Sequence, residues 1–399
     1  MHLTVSIRRW VIVCSLASVF GCAEPPKAPP PPVVITELPF EQAVAMAADA
    51  LIKQTQTALP RGTAHSIVVD PMLDAASGQQ TRATQLLQSR VGERLAAQAT
   101  AFELLPFQTA SLARAQYLLT GTMTRVLANG ADKSSNPPRR INLALTDLKT
   151  GTVVAQSMWL STADGIDDTP LPYYRDSPVL VKDKVIEGYI ATTTAQPGSA
   201  ADKTYLERVA VATVINDATT LYNAEKYQEA LAQYRIAVGS PAGEQLRTLN
   251  GIYLSNIKLG RNAEAEQAFG KVVALGIASN QLGVKFLFNP GTTEFWSDQK
   301  ISGVYPMWLR QIAREANGAK ACMNIVGHTS RTGSEAVNQE LSMRRAAAIR
   351  QRLTREAGVL DKRTKANGVG FSENIVGSGT DNAVDALDRR VEFKIVPCS

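Results

Sequence analysis

From about Gly283 to the end of the chain, short strand-like runs alternate with helix-period segments, and that order leaves few folds open. "VKFLF", "ACMNIVGHT", "KANGVGF" and "RRVEFKIV" carry the apolar, β-branched character of strands. Between the first two, "SDQKISGVYPMWLRQIAREANG" has helical spacing and stops at Gly318. Thr332, with Glu335 three residues on, forms a capping box that opens a long helix ending near Gly358. The order β-α-β-α-β-β predicts a small mixed sheet covered by two helices.

On the long helix Val337, Leu341, Ile349 and Leu353 fall in a four-residue stagger and mark the expected buried face. Arg345 falls in the same series, with Asn338 a heptad before it. A cation among core positions is costly unless it is paired or meets a ligand. Spacing leaves two readings open. Arg345 bridges to Asp381, Asp385 or Asp388 of the C-terminal loop, or it waits for an anion from outside.

"VKFLFNPGTTEF", "NIVGHTSRTGSEAVNQELSMRRAAAIRQRL", "VGFSEN" and "DRRVEFKI" together resemble the OmpA C-terminal domain, over residues 283–399. The resemblance implies non-covalent binding of peptidoglycan. In that family an Asp after "GHT" takes the ammonium of meso-diaminopimelate and the helix arginine takes its carboxylate. The arginine's role maps onto Arg345 and the aspartate's onto Ser330. Thr329, Gly333 and Asn338 match the loop and helix that shape the pocket. Arg390 matches the closing arginine pair, in a backbone-shaping or a contact role. A hydrogen bond to a charged group contributes about 1.5–3 kcal/mol and a neutral one about 0.5–1.5, so Ser330 predicts wall binding weakened roughly tenfold or more. Glu294 or Asp381 is the candidate stand-in for the missing charge.

The N-terminus, "MHLTVSIRRWVIVCSLASVFGC", has Arg8 and Arg9 before an apolar run too short for a stable span, the pattern of a secretory signal over residues 1–21. "SVFGC" resembles a bacterial lipobox, which implies lipidation (palmitate among the acyl chains) at Cys22. By the enterobacterial sorting pattern, Ala23 in the next position then implies the periplasmic face of the outer membrane. Proline locks φ and removes donors, so "EPPKAPPPPVV" is an extended tether within residues 22–37. Of four cysteines, Cys322 and Cys398 remain as a pair in an oxidising compartment. If the second and last strands of the C-terminal sheet are antiparallel neighbours, these two meet in a disulfide.

Two further bodies precede the C-terminal one. Residues 38–165 combine two helical segments with strands at "HSIVVDPM", "AFELLPF", "AQYLLTGTMTRVL", "INLALTDL" and "TVVAQSMWL", an α/β sandwich. "IVVDPM", "AQYLLTGTMTRV" and "LTDLKTGTVVAQS" resemble the periplasmic domain of CsgG-like lipoproteins and LpoB-like activators of peptidoglycan synthases, which implies a binding surface. Residues 166–205 are turn-rich and read as a connector with one short element. Within 206–280, Ala230, Tyr234 and Ala237 align with Ala265, Phe269 and Val272 at an offset of about 35 residues, near the tetratricopeptide period. Two such hairpins are fewer than usually stand alone, so they are expected to lean on a neighbour. The fold class is therefore multidomain α/β plus α.

A formal charge of +6 over 399 residues, with no nucleic-acid motif, gives no reason to expect nucleic acid as a partner. "KTG" and "SDQK" stand in the wrong order for a penicillin-binding site. The three histidines, His2, His65 and His328, have no ligand spacing, so neither a metal nor another cofactor is expected. The expected protein is a non-enzymatic outer-membrane lipoprotein that anchors an envelope assembly to peptidoglycan and recruits a periplasmic protein partner. The alternatives are an activator of a peptidoglycan synthase, or a scaffold of a secretion or motility apparatus with little wall affinity.

Overall fold

Alternating and continuous apolar runs in the first body produce a mixed sheet with helices on both faces. The computed structural model describes residues 36–59, 64–98, 100–126, 137–289, 291–376, 379 and 384–398. The expected signal segment, Cys22 and the prolines of the expected tether lie outside these residues, as does Asp381. No helix among the described residues is long and apolar enough to cross a membrane.

Helix α1 (Phe40–Ala58) precedes strands β1 (His65–Val69) and β2 (Leu73–Asp74), helix α2 (Arg82–Ala96), strand β3 (Phe102–Leu105) and the short helix α3 (Thr109–Leu112). Strands β4 (Tyr117–Arg125), β5 (Arg139–Asp147) and β6 (Thr152–Ser161) complete a sheet ordered β3-β1-β4-β5-β6, with β2 pairing β4. Thr81 caps α2, with reciprocal bonds between Thr81 and Thr84. The contacts of β1 with β3 and β4 are parallel, whereas β4, β5 and β6 form an antiparallel meander. Leu51, Leu87, Leu119 and Leu143 belong to the core on the α1–α2 side. Strand β4 is buried along most of its length, because its other face is covered too.

That cover comes from the segment expected to be a connector. It holds α4 (Pro172–Asp176), α5 (Lys184–Thr194) and α6 (Lys203–Leu206). Asp183 caps α5 by accepting from the amides of Val185 and Ile186, and Ile186 and Tyr189 pack with Val68 and Leu118 of the sheet. Sequence periodicity missed α5 because its apolar face is brief and ends in a threonine run.

Four antiparallel helices follow: α7 (Val209–Asn223), α8 (Tyr227–Val238), α9 (Leu246–Lys258) and α10 (Asn262–Ala278). Gly251 of α9 lies directly against the Tyr234 ring, where a Cβ would come within 2.3 Å of it. The last hairpin packs on the C-terminal region. Phe269 stacks on Trp308 at 5.6 Å, and the Trp308 indole N–H donates to the Tyr253 hydroxyl at 2.8 Å. Helices and C-terminal sheet thus share one hydrophobic core.

The C-terminal region contains β7 (Leu282–Val284), α11 (Gln299–Ser302), α12 (Tyr305–Gly318), β8 (Cys322–Gly327), α13 (Glu335–Glu356), α14 (Leu360–Arg363), β9 (Thr364–Gly368), a 3-10 turn (Val384–Leu387) and β10 (Val391–Val396). Sheet order is β7-β10-β8-β9, with β10 antiparallel to β7 and β8 and β9 parallel to β8. Register pairs Val396 with Cys322, and Cys322 and Cys398 form a disulfide with Cα atoms 5.2 Å apart.

Several local expectations change. The first strand starts before "VKFLF" and leaves the ladder at Lys285, whose amide turns to Pro178 O; the Leu180 amide donates to Gly283 O, so residues 178–180 cover that edge. The first helix splits because Pro306 has no N–H to continue it; α12 begins there afresh. Ser334, not Thr332, caps α13, accepting from the Val337 amide. Val337 is 60 % exposed and belongs to the outer face; Asn338 takes its place beside Leu341, Arg345, Ile349 and Leu353. A strict four-residue stagger drifts by about 40° per step on a helix of 3.6 residues per turn, so Val337 leaves the buried face that Asn338 keeps.

Candidate functional site

The site is built where α13 crosses the ends of β8 and β9, and glycine permits the crossing. A Cβ on Gly327 would stand 2.2 Å from Ser342 O, and one on Gly368 would stand 2.2 Å from the Met343 nitrogen. The helix backbone therefore rests directly on both strands. The Ser342 hydroxyl donates to Gln339 O and accepts from the Gly370 amide at 2.9 Å, while the Gln339 side chain donates to Gly368 O at 2.6 Å. Gly370 has φ +54, and its carbonyl accepts from the Thr329 amide at 2.9 Å. These bonds join the loop after β8, the turn after β9 and the middle of α13.

Thr329 and Ser330 are both buried in that loop, and the Thr329 hydroxyl has no hydrogen-bond partner among the described residues. Gly333 has φ +92, which only glycine adopts readily. Asn338 is buried under it and donates to Thr332 O at 2.8 Å and Ser334 O at 3.0 Å, so its role is to shape the loop. Two turns along the same face lies Arg345, 5 % exposed. Its Nε donates to Thr292 O at 3.1 Å and Nη2 to Asn289 O at 3.4 Å, and its guanidinium lies 4.8 Å from the centre of the Phe288 ring. The turn that supplies those carbonyls is closed by Gly291 at φ +68 and by the Phe288–Phe295 bridge. Thr329, Gly333, Asn338 and Arg345 thus border one loop-and-helix edge.

Arg390 belongs to a different group. Its Nε and Nη2 both lie 2.7 Å from Glu392 Oε1, and further bonds run to Leu387 O and Glu373 O. That assigns it the backbone-shaping role, fastening Glu373 and Leu387 to the start of β10. His328 is buried beside Glu392, at 3.6 Å. Burial would raise the Glu392 carboxyl, but the nearby His328 imidazole and the Arg390 charge outweigh it and hold the group at about 2. Burial pushes the His328 imidazole below its ordinary value, against the pull of Glu392. Ligand atoms of His328, Glu373 and Glu392 lie within 4.8 Å of one another. Arg390 and Lys394 already engage the two carboxylates, so the cluster reads as an ion-pair network.

Glu294, a candidate stand-in for the missing acid, is 75 % exposed and stands 3.7 Å from Arg352. Sequence reasoning missed Arg352, Phe288 and Phe295. The signal was present, since Arg352 lies one heptad beyond Arg345, but charge at a helix flank is ordinarily solvated.

The profile of the OmpA family matches residues 287–386, so the chain carries an OmpA-family domain there. Outer membrane protein A of Klebsiella pneumoniae is 30% identical over 120 residues, covering 28% of this chain and 33% of that protein. Outer membrane porin F of Pseudomonas aeruginosa is 41% identical over 71 residues, 18% of this chain and 20% of the porin. The chain therefore spans a third or less of the length of these relatives. Among solved structures, the peptidoglycan-associated lipoprotein from Burkholderia pseudomallei is 28% identical, with a TM-score of 0.24, over 29% of this chain and 89% of that one. The two sequence relatives are outer-membrane proteins by name.

Proposed function

We propose that the chain is an outer-membrane lipoprotein that binds peptidoglycan non-covalently and scaffolds an envelope assembly on the cell wall. One observation carries the wall-binding part. In an OmpA-family domain, the helix arginine matching the diaminopimelate carboxylate contact sits at the loop-and-helix edge, oriented by two backbone carbonyls and an aromatic ring. Such preorganisation lowers the entropy lost when an anion docks. Ser330 supplies a hydroxyl where the family has a carboxylate, so the ammonium end of the ligand is held less firmly. Cys22 would carry the lipid, and the proline tether would set the standoff from the outer membrane. The two helical hairpins, read as tetratricopeptide-like, and the CsgG/LpoB-like first body would receive a protein partner. No catalytic role is assigned.

The test is retention of the mature chain on purified sacculi. Wild type is expected to be retained weakly, Ser330→Asp about tenfold more strongly, and Arg345→Gln not at all. No retention of wild type, together with no gain from Ser330→Asp, would refute wall binding. It would favour the second reading, a scaffold or synthase regulator with little wall affinity, which the neutral Ser330 supports.

A further inference from the structure

Helix α13 carries a second arginine on the face that holds Arg345. A heptad returns nearly to the same azimuth, so Arg352 lies about 10.5 Å further along the helix axis. The Arg352 guanidinium stands 4.5 Å from the centre of the Phe295 ring, and Arg345 stands 4.8 Å from that of Phe288. The two rings are themselves in contact, with centroids 5.4 Å apart. One aromatic pair, fixed on a single turn, therefore sets the position of two cations.

The two arginines differ in what they bond. Arg345 is buried and tied to carbonyls. Arg352 is 23 % exposed, and its bonds among the described residues are a 3.3 Å contact to Ala348 O and a 3.7 Å ion pair with Glu294. An ion pair with a carboxylate that is three-quarters in water is weak and readily exchanged. The Nη2 side of Arg352 is thus exchangeable, while its ring contact and its bond to Ala348 O hold it in place.

We propose that Arg352 is a second carboxylate subsite for the peptide bound at Arg345. The inference rests on the wall-binding reading and deepens it. The ligand it selects is a peptide with two free carboxylates, one for each guanidinium over the paired rings. In a stem peptide joined through the glutamate side chain, the glutamate α-carboxylate is the group left free to reach Arg352 while diaminopimelate occupies Arg345. Displaced Glu294 moves into solvent. Such a subsite distinguishes acidic stem peptides from those in which that carboxylate is amidated, and it compensates in part for the neutral Ser330.

The experiment is calorimetric titration of the mature chain with L-Ala-γ-D-Glu-meso-diaminopimelate and with the same peptide amidated at the glutamate α-carboxyl. Wild type is expected to bind the amidated peptide about tenfold more weakly. Arg352→Gln is expected to bind the acidic peptide about tenfold more weakly than wild type, with no further loss on amidation. Arg352→Lys, which keeps the charge but not the fork, should fall between. Equal sensitivity of wild type and Arg352→Gln to amidation overturns the subsite while leaving wall binding intact. Failure of wild type and Ser330→Asp to bind either peptide overturns the wall-binding reading, and the subsite with it.

Discussion

Replacing Gly327 by alanine tests the direct seating of α13 on the sheet. The added Cβ would meet Ser342 O at 2.2 Å, where ordinary contact begins at 3.4 Å, so the two backbones must separate by 3.4 − 2.2, about 1.2 Å. Both partners are main chain, and no side-chain rotation can relieve the clash. Overpacking of this kind costs about 1–3 kcal/mol, and rigid partners place it near the upper end. The same displacement stretches the 2.9 Å bond from the Gly370 amide to Ser342 Oγ and draws Arg345 from Thr292 O, now 3.1 Å away. Gly92 supplies the control. It lies within α2 with nothing inside 4 Å of its prospective Cβ, so Gly92→Ala should stabilise by about 0.5–1 kcal/mol. Urea unfolding measures both, and stem-peptide titration of Gly327→Ala should show loss of affinity at temperatures where it remains folded. A Gly327→Ala protein with the wild-type urea midpoint and undiminished affinity would refute the seating argument.

Removing the disulfide with Cys322→Ser and Cys398→Ser frees a loop with a sequence separation of 76, for which chain entropy gives a loss of about 4 kcal/mol; an unchanged urea midpoint would refute this. Trp308→Ala should destabilise by about 3–5 kcal/mol, because it removes the stack on Phe269 and the bond to Tyr253, and limited proteolysis should then cut within α9 and α10 first. Burial raises the Asp70 carboxyl from 3.8 to about 6, against the hydrogen bond from Tyr205. Its folded value exceeds its unfolded one, so its contribution is full below about pH 4, declines through pH 6 and is flat above. Asp70→Asn should abolish roughly 3 kcal/mol of that decline, read as the difference between variant and wild type in urea at pH 4 and pH 7. Equal pH slopes would contradict the assignment.

Much of the C-terminal domain was legible because its signals are local. Strand character, the run of α13, and the two cysteines that antiparallel β8 and β10 would juxtapose all follow from spacing. The burial of Arg345 on an apolar stripe was legible in the same way. Val337 shows the limit: a four-residue stagger drifts around the helix, so Val337 turns outward while Asn338 keeps the buried face. The sequence leaves Arg390 a backbone-shaping or a contact role, and only its bonds to Glu392, Glu373 and Leu387 select the first. Helix α5 was unreadable because a short apolar face among threonines gains its stability from the sheet beneath it.

The sequence by itself determined the order of the principal C-terminal elements, the presence of an OmpA-family domain and the place of Arg345 on the buried face of α13, since each depends on residues close along the chain. Only the tertiary structure decided that residues 178–180 cover β7, that the helical hairpins share a core with α12, and that Phe288 and Phe295 set two arginines in a row. Periodicity reports which face of an element is apolar. What that face meets is fixed by partners far away in the chain, through packing that no local pattern records.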